Sequence, residues 1–195
     1  MPRSATGFVL GYHGCDETVA ERLIDGEAIA PSRNQYDWLG WGAYFWENDP
    51  LRALRWSRLS LERRGAKGKP AVVGAIIELG DCLDLTVQSS LAVIETAFNS
   101  MKTVYEAVGK PMPENKDELR RPLDCAVLNF LYDSMPEPRY QTVRGVFLEG
   151  GPLFPGSHIQ SKTHVQIAVR DLSCIRGVFR VPPSELAGFQ ADQAG

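Results

Sequence analysis

Apolar and polar positions change period several times along the chain. An apolar run, Phe8-Val9-Leu10-Gly11-Tyr12, predicts a short buried strand over residues 8–12. Asp16 then stands at an N-cap position, with Glu17 in the first turn of a helix. Val19, Ala20, Leu23 and Ile24 give that helix one apolar face, and Gly26 stands where a helix end favours a left-handed residue. A polar loop follows from Ala30 to Asp37. Asp49-Pro50 opens a second helix as N-cap and first helical residue, expected to run to about Arg64. Gly65 to Pro70 forms a flexible basic turn. Ala71 to Leu79 is a strong strand run built on Val-Val-Gly-Ala-Ile-Ile.

Residues 85–135 read as mostly helical. Leu91, Val93, Ile94, Ala97, Phe98 and Met101 follow helical spacing, a Pro-rich polar break covers 111–117, and a further helix signal spans Leu123 to Tyr132. The tail returns to strands at 145–148, 163–169 and 174–181, and from about Ser184 the end is expected to fray. No repeat appears. Helix and strand signals segregate rather than alternate, which predicts an α+β fold over a doubly wound sheet. A chain of 195 residues fits a single domain, 1–195, with a sizeable core.

Composition adds exclusions. Hydrophobic content of 44% and charge of 23% are those of a globular protein. No apolar run approaches about 18 residues, so no membrane span is expected. The first residues lack an apolar targeting core, which predicts a cytoplasmic protein. Cys15, Cys82, Cys125 and Cys174 lie far apart and form no CxxC pair, so neither a zinc site nor a disulfide framework is implied. Cys15 reads as a small buried residue. His158 and His164 read as surface or loop histidines, and no metal is expected. A net charge of −3 argues against a chain coated in positive charge for nucleic acid. It leaves room for a local patch. Arg52, Arg55, Arg58, Arg63, Arg64, Lys67 and Lys69 crowd one helix and its exit, and the first three share a face. That face is either solvated or a phosphate track, to which Trp38 and Trp41 would add stacking surfaces.

Two motifs carry the chemistry. Tyr12-His13-Gly14 ends the first apolar run, and Gly40-Trp41-Gly42-Ala43-Tyr44-Phe45 follows about 30 residues later. Together they outline a slot with an imidazole on one wall and a phenol on the other, behind a turn with no side-chain bulk. Such a slot suits a flat aromatic amide.

The motif order resembles the catalytic domain of the ADP-ribosyltransferases, on the branch shared by diphtheria toxin and the poly(ADP-ribose) polymerases. The resemblance covers residues 8–58 and 144–181. That family reads His-Gly on a first strand, Gly-x-Gly-x-Tyr-Phe at a second, and usually a glutamate on a late strand. Here the late strand falls at Lys162 to Val169, with Gln166 at the third position. The phrase from Asp37 to Glu47 looks most like bacterial, toxin-type members. The resemblance implies split antiparallel β-sheets forming an NAD cleft, with an inserted helical region at about 85–135. It implies that the Gly14 backbone holds the nicotinamide carboxamide, that His13 anchors a hydroxyl of the adenosine-side ribose, and that Tyr44 stacks on the nicotinamide behind Gly42. Tyr36 or Phe45 would complete the sandwich. Ser32 and Asn34 lie in the loop expected over the adenosine and pyrophosphate, and Arg33 would meet the pyrophosphate charge. Arg52 stands where the family often has a carboxamide-binding serine.

Gln166 can hold the ribose 2′-OH but supplies no negative charge and no base. Glu149, in the Glu149-Gly150-Gly151 turn, is the best carboxylate to supply the charge. The implied activity is an NAD-dependent mono-ADP-ribosyltransferase that releases nicotinamide and modifies a macromolecular acceptor, protein or nucleic acid. Such a protein would be a toxin or defence effector with an antitoxin or immunity partner. The alternative is a module of the same fold that binds NAD, ADP-ribose or a nucleic-acid end without efficient turnover. RNA 2′-phosphotransfer is a third option, but its His/Arg set finds no match here.

Overall fold

The first strand runs past its apolar core. β1 covers Phe8–Asp16 and carries the Tyr-His-Gly motif in its second half. The structure is a computed structural model describing residues 7–117, 120–137 and 139–187. After β1 come α1 (Glu17–Ile24), β2 (Ala43–Glu47), α2 (Pro50–Arg63), β3 (Pro70–Glu78) and β4 (Cys82–Asp84). They are followed by α3 (Gln88–Ala107), α4 (Pro122–Ser134), β5 (Thr142–Phe147) and β6 (His164–Val169). A 3-10 turn (Leu172–Cys174), β7 (Ile175–Arg180) and α5 (Pro183–Leu186) complete the order.

The seven strands form one mixed sheet in the order β4-β5-β6-β2-β1-β3-β7. Among the described residues, only β4 and β5 pair in parallel. The fold is therefore α+β. Parallel neighbours need a crossover, and α3 and α4 supply it. The helical stretch expected at 85–135 thus connects two adjacent strands.

Each face of the sheet has its own core. One buries Phe45, Val73, Ala75, Ile77, Ile167 and Val169 under Ala20 and Leu23 of α1. The other carries Tyr12, Trp46 and Val72 under Ala53 and Leu54 of α2. On that same face Val143, Phe147 and Ala168 pack with Leu39 and with Leu128 of α4.

The helix ends form where the sequence places them. The Asp16 carboxylate accepts the Thr18 N–H at 2.9 Å, and Gly26 (φ 101°) turns the chain out of α1. Asp49 accepts the Arg52 N–H at 2.8 Å, with Pro50 as the first residue of α2. The end expected to fray from about Ser184 does otherwise as far as Ala187. There α5 docks, Leu186 packs near Tyr12 and Ala53, and the Tyr12 hydroxyl donates to Glu185 Oε2 at 3.2 Å. Residues 188–195 lie outside the described residues. Among the described residues, no helix is long and apolar enough to cross a membrane.

Candidate functional site

The site begins where two central strands part. The bonds from Glu17 N–H to Lys69 O and from Leu79 N–H to Gly7 O fix the pairing phase between β1 and β3. Odd residues of β1 therefore bond to β3, and even ones turn their N–H and C=O toward β2. Leu10 O accepts the Asn48 N–H, and Tyr12 pairs with Trp46. The ladder stops there. Gly14 is the next even residue, and its N–H and C=O face the gap without a ladder partner. Across the gap, the Tyr44 carbonyl accepts a hydrogen bond from His13 Nδ1 at 2.9 Å.

Gly14 is glycine for a further reason. A Cβ there would collide with the Ala53 carbonyl oxygen and lie 3.3 Å from Ser57 Cβ. Helix α2 thus rests directly on the motif, and Ser57 Oγ donates to Cys15 O at 2.5 Å. His13 sits on the opposite face, beside Phe45. Its ring and the Tyr44 ring therefore lie on opposite faces of the sheet and do not form the two facing walls expected from the motifs. What links them is the bond from His13 Nδ1 to the Tyr44 carbonyl. Because a carbonyl only accepts, Nδ1 carries the hydrogen and Nε2 is left as an acceptor in the neutral ring. Burial keeps the ring neutral by pulling its pKa below the usual imidazole range, outweighing the bond to Tyr44. Burial also pushes the Cys15 thiol up to about 11, so it is no thiolate nucleophile near neutral pH.

The Gly-x-Gly turn is braced from two sides. Ser32 and Gly42 exchange backbone bonds of 2.8 and 3.1 Å, which ties the polar loop to the turn. In that loop Asn34 Nδ2 donates to Ser32 Oγ at 2.8 Å and the Asn34 N–H to Asp37 at 3.0 Å, and Arg33 lies over the Trp41 ring. Gly40 has φ 74°, and a Cβ there would strike the Arg170 guanidinium. A Cβ on Gly42 would come within 2.9 Å of Val169 O. Asn129 of α4 accepts from the Trp41 N–H at 3.0 Å and from Arg170 Nη2 at 2.8 Å. No motif in the chain signals this support from α4.

Tyr44 is held by its phenol. Its hydroxyl donates to Gly40 O at 2.7 Å and accepts the Leu39 N–H at 2.8 Å. Burial, with the Asp37 charge second, raises its pKa well above the usual phenol value. The residue is half-buried, with its polar edge spent on the turn. Neither expected second platform joins it. Tyr36 is exposed in the loop, and Phe45 lies fully buried on the opposite face. Tyr44 shares its cluster with Trp38, Phe147 and Tyr140, and the Arg121 guanidinium lies 4.3 Å over the Trp38 ring.

Gln166 pairs with Trp46 on one side and Gly145 on the other, and is half-buried. Strand alternation puts it on the face of Tyr44 and Trp46, between α2 and α4. Glu149 and Arg52 form a buried ion pair with each other. The Arg52 charge therefore compensates the carboxylate expected to replace the family glutamate, and Arg52 itself is engaged.

His164 is neither a surface nor a loop residue. It opens β6 at 5% exposure, ringed by Trp38, Trp46 and Phe147, with Nδ1 bonded to Lys162 O at 2.7 Å. Its position two residues before Gln166, on the same strand face, was the available signal. Burial holds its pKa low, and Arg52 adds to that. Among the described residues, His164 Nε2, Trp46 Nε1 and Arg52 Nε are buried without a hydrogen-bond partner.

A pocket of about 270 Å³ opens between α2 and the segment entering β6, with Arg52 in its wall. Arg52, Arg55, Arg58 and Lys162 line it, so the face shared by the three arginines forms a wall. Among the described residues, no group of three His, Cys, Asp or Glu side chains could hold a metal ion.

No family model matches the chain. No solved structure matches it. The chain is similar to the uncharacterized protein MJ0359 of Methanocaldococcus jannaschii, at 40% identity over 145 residues. The alignment covers 70% of this chain and 63% of that protein, so the chain spans less than two thirds of its relative's length.

Proposed function

We propose that the protein is an NAD-dependent mono-ADP-ribosyltransferase with the split-sheet NAD cleft of that superfamily. The observation that carries the reading is the parted stretch of β1 and β2. There Gly14 presents backbone N–H and C=O to a gap, with His13 tethered to the Tyr44 carbonyl across it. A carboxamide needs one donor and one acceptor side by side, and an extended residue without a ladder partner supplies both. His13 Nε2 would accept a ribose hydroxyl. The Tyr44 ring, fixed through its hydroxyl, would carry the nicotinamide. Ser32, Arg33 and Asn34, tied to the turn at Gly42, would cover the rest of NAD.

Breaking the bond from ribose C1 to nicotinamide leaves an oxocarbenium-like sugar. Stabilising that charge is the protein's main lever. Gln166 would hold the 2′-OH there.

Nicotinamide release from NAD by the purified protein tests the reading. Tyr44→Ala and Gln166→Ala are expected to lower the rate by about tenfold or more each. Gln166→Glu is expected to raise it, since a carboxylate adds charge stabilisation. Equal rates in wild type and Tyr44→Ala would defeat the assignment.

A second reading, ligand binding without turnover, draws on two observations: Gln166 carries no charge, and the Glu149 charge is already compensated by Arg52. Calorimetric binding of NAD with no nicotinamide release would select it.

A further inference from the structure

We infer that Arg170 anchors the diphosphate of NAD at the Gly40–Gly42 turn, with Arg33 closing on it from the loop. The inference rests on the transferase reading and adds a binding residue that no motif marks.

Arg170 is a cation without an anion. It follows the last residue of β6, is half-buried, and makes no ion pair among the described residues. Its Nη2 donates to the neutral Asn129 Oδ1 at 2.8 Å, and the guanidinium lies 4.4 Å over the neutral Tyr132 ring. Its Nε is buried without a hydrogen-bond partner among the described residues. Burial pulls its pKa below the usual guanidinium range, and Asp133 attracts the charge only from beyond ion-pair reach. An uncompensated buried charge destabilises a fold. An anionic ligand would remove that cost.

Arg33 is the second observation. Its guanidinium lies 5.9 Å from the centre of the exposed Trp41 ring, and it too makes no ion pair among the described residues. The carboxylate of the loop, Asp37, is engaged by the Asn34 N–H at 3.0 Å and by Asn34 Nδ2 at 3.3 Å. Arg33 thus stands on the outer side of the turn. Arg170 stands on the inner side, where a Cβ on Gly40 would strike its Nη2.

The backbone of the turn has no donor to offer an anion. The Gly40 N–H goes to Asp37 O, the Trp41 N–H to Asn129 and the Gly42 N–H to Ser32 O. An anion there must be held by side-chain charge.

Spacing assigns the anion. Arg170 and the Tyr44 phenol lie close enough to act on each other's ionisation, and Tyr44 is the proposed platform for nicotinamide. Gly42 and Tyr44 are two residues of extended chain apart, about 7 Å. That leaves room for the ribose between nicotinamide and its phosphate. Guanidinium forks match phosphate oxygens, and two adjacent phosphates suit two of them.

Calorimetry on the full-length protein tests this with NAD, ADP-ribose and inorganic pyrophosphate, and with nicotinamide as the ligand that lacks phosphate. Wild type is expected to bind the first three, more weakly as salt rises. Arg170→Met should weaken all three by about tenfold or more, while nicotinamide affinity stays within about twofold. Arg170→Gln keeps an N–H for Asn129 and should lose as much, so it carries the test if Arg170→Met does not fold. Arg33→Met, at an exposed position, should weaken the same three ligands.

The inference is overturned if wild type binds none of the three, or if the Arg170 variants bind them as well as wild type. Nicotinamide affinity falling in step would overturn it too, since Arg170 would then only brace the turn. Nicotinamide release from NAD separates the two readings. Release at wild-type rate and KM in Arg170→Met removes the anchor and leaves the transferase. Pyrophosphate and ADP-ribose binding that depends on Arg170, in a protein that releases no nicotinamide, does the reverse.

Discussion

The Tyr44 hydroxyl engages two backbone groups of the Leu39–Gly40 turn at once. Tyr44→Phe keeps the ring but strands the Leu39 N–H, at a cost of about 1–3 kcal/mol. Chemical denaturation should show that loss while NAD affinity holds, whereas Tyr44→Ala should lose both. Gly14→Ala is expected to fail differently. Its Cβ meets the Ala53 carbonyl, so α2 must shift, and overpacking of this kind costs about 1–3 kcal/mol. Poor stability of that variant would reflect the helix, and only a drop in NAD affinity beyond the thermal loss would report on the carboxamide dock.

His13 and His164 set a pH dependence. Burial lowers both pKa values, so the fold favours the neutral rings. Their contribution is present above the unfolded imidazole range, about 6.5, and is lost as the pH falls below it. The urea midpoint is expected to drop between about pH 7.5 and about pH 5.5, and His164→Gln should shallow that drop.

At the scale of elements, α4 reaches the turn through one side chain. Asn129→Ala removes the acceptor of the Trp41 N–H and of Arg170. The expected cost is about 1–3 kcal/mol, seen as lost hydrogen-exchange protection at Trp41 and a higher KM for NAD.

No pattern in the sequence could give that link. Asn129 and Trp41 are 88 positions apart, and an asparagine on a helix face announces nothing. Caps behave otherwise. Asp16, Gly26 and Asp49-Pro50 act on neighbours within a few residues, so α1 and α2 were legible almost to their ends. β4 was invisible because three residues carry no period, and α5 because its stability comes from Tyr12 far upstream. His164 was misread for the same reason. The aromatic cage that buries it is drawn from β2, β5 and Trp38, just past the polar loop.

At the scale of the molecule, the Arg52–Glu149 pair joins α2 to the segment before β6, across the face where Gln166 lies. Removing either partner leaves a buried charge, at about 3–5 kcal/mol. Arg52→Met with Glu149→Leu is expected to be more stable than either Arg52→Ala or Glu149→Ala. A double variant as weak as the sum of the singles would show that the two side chains act separately. The motif positions were readable because they sit in short contiguous phrases. The pairing of Arg52 with Glu149, 97 positions apart, was not. Glu149 looked available as a substitute carboxylate only because its counterion was out of view.

The early end of the β1–β2 ladder has a consequence for how the protein keeps company with itself. Unpaired strand backbone normally lies at the rim of a sheet, where any passing chain can add to it and seed aggregation. Here it lies between central strands, beneath a helix seated on Gly14. On the proposed reading a small planar amide enters there, while the helix seated on Gly14 bars a second strand. At this position the chain thus keeps the adhesive quality of a raw strand margin away from the two outer edges, β4 and β7, where a copy of the chain could pair.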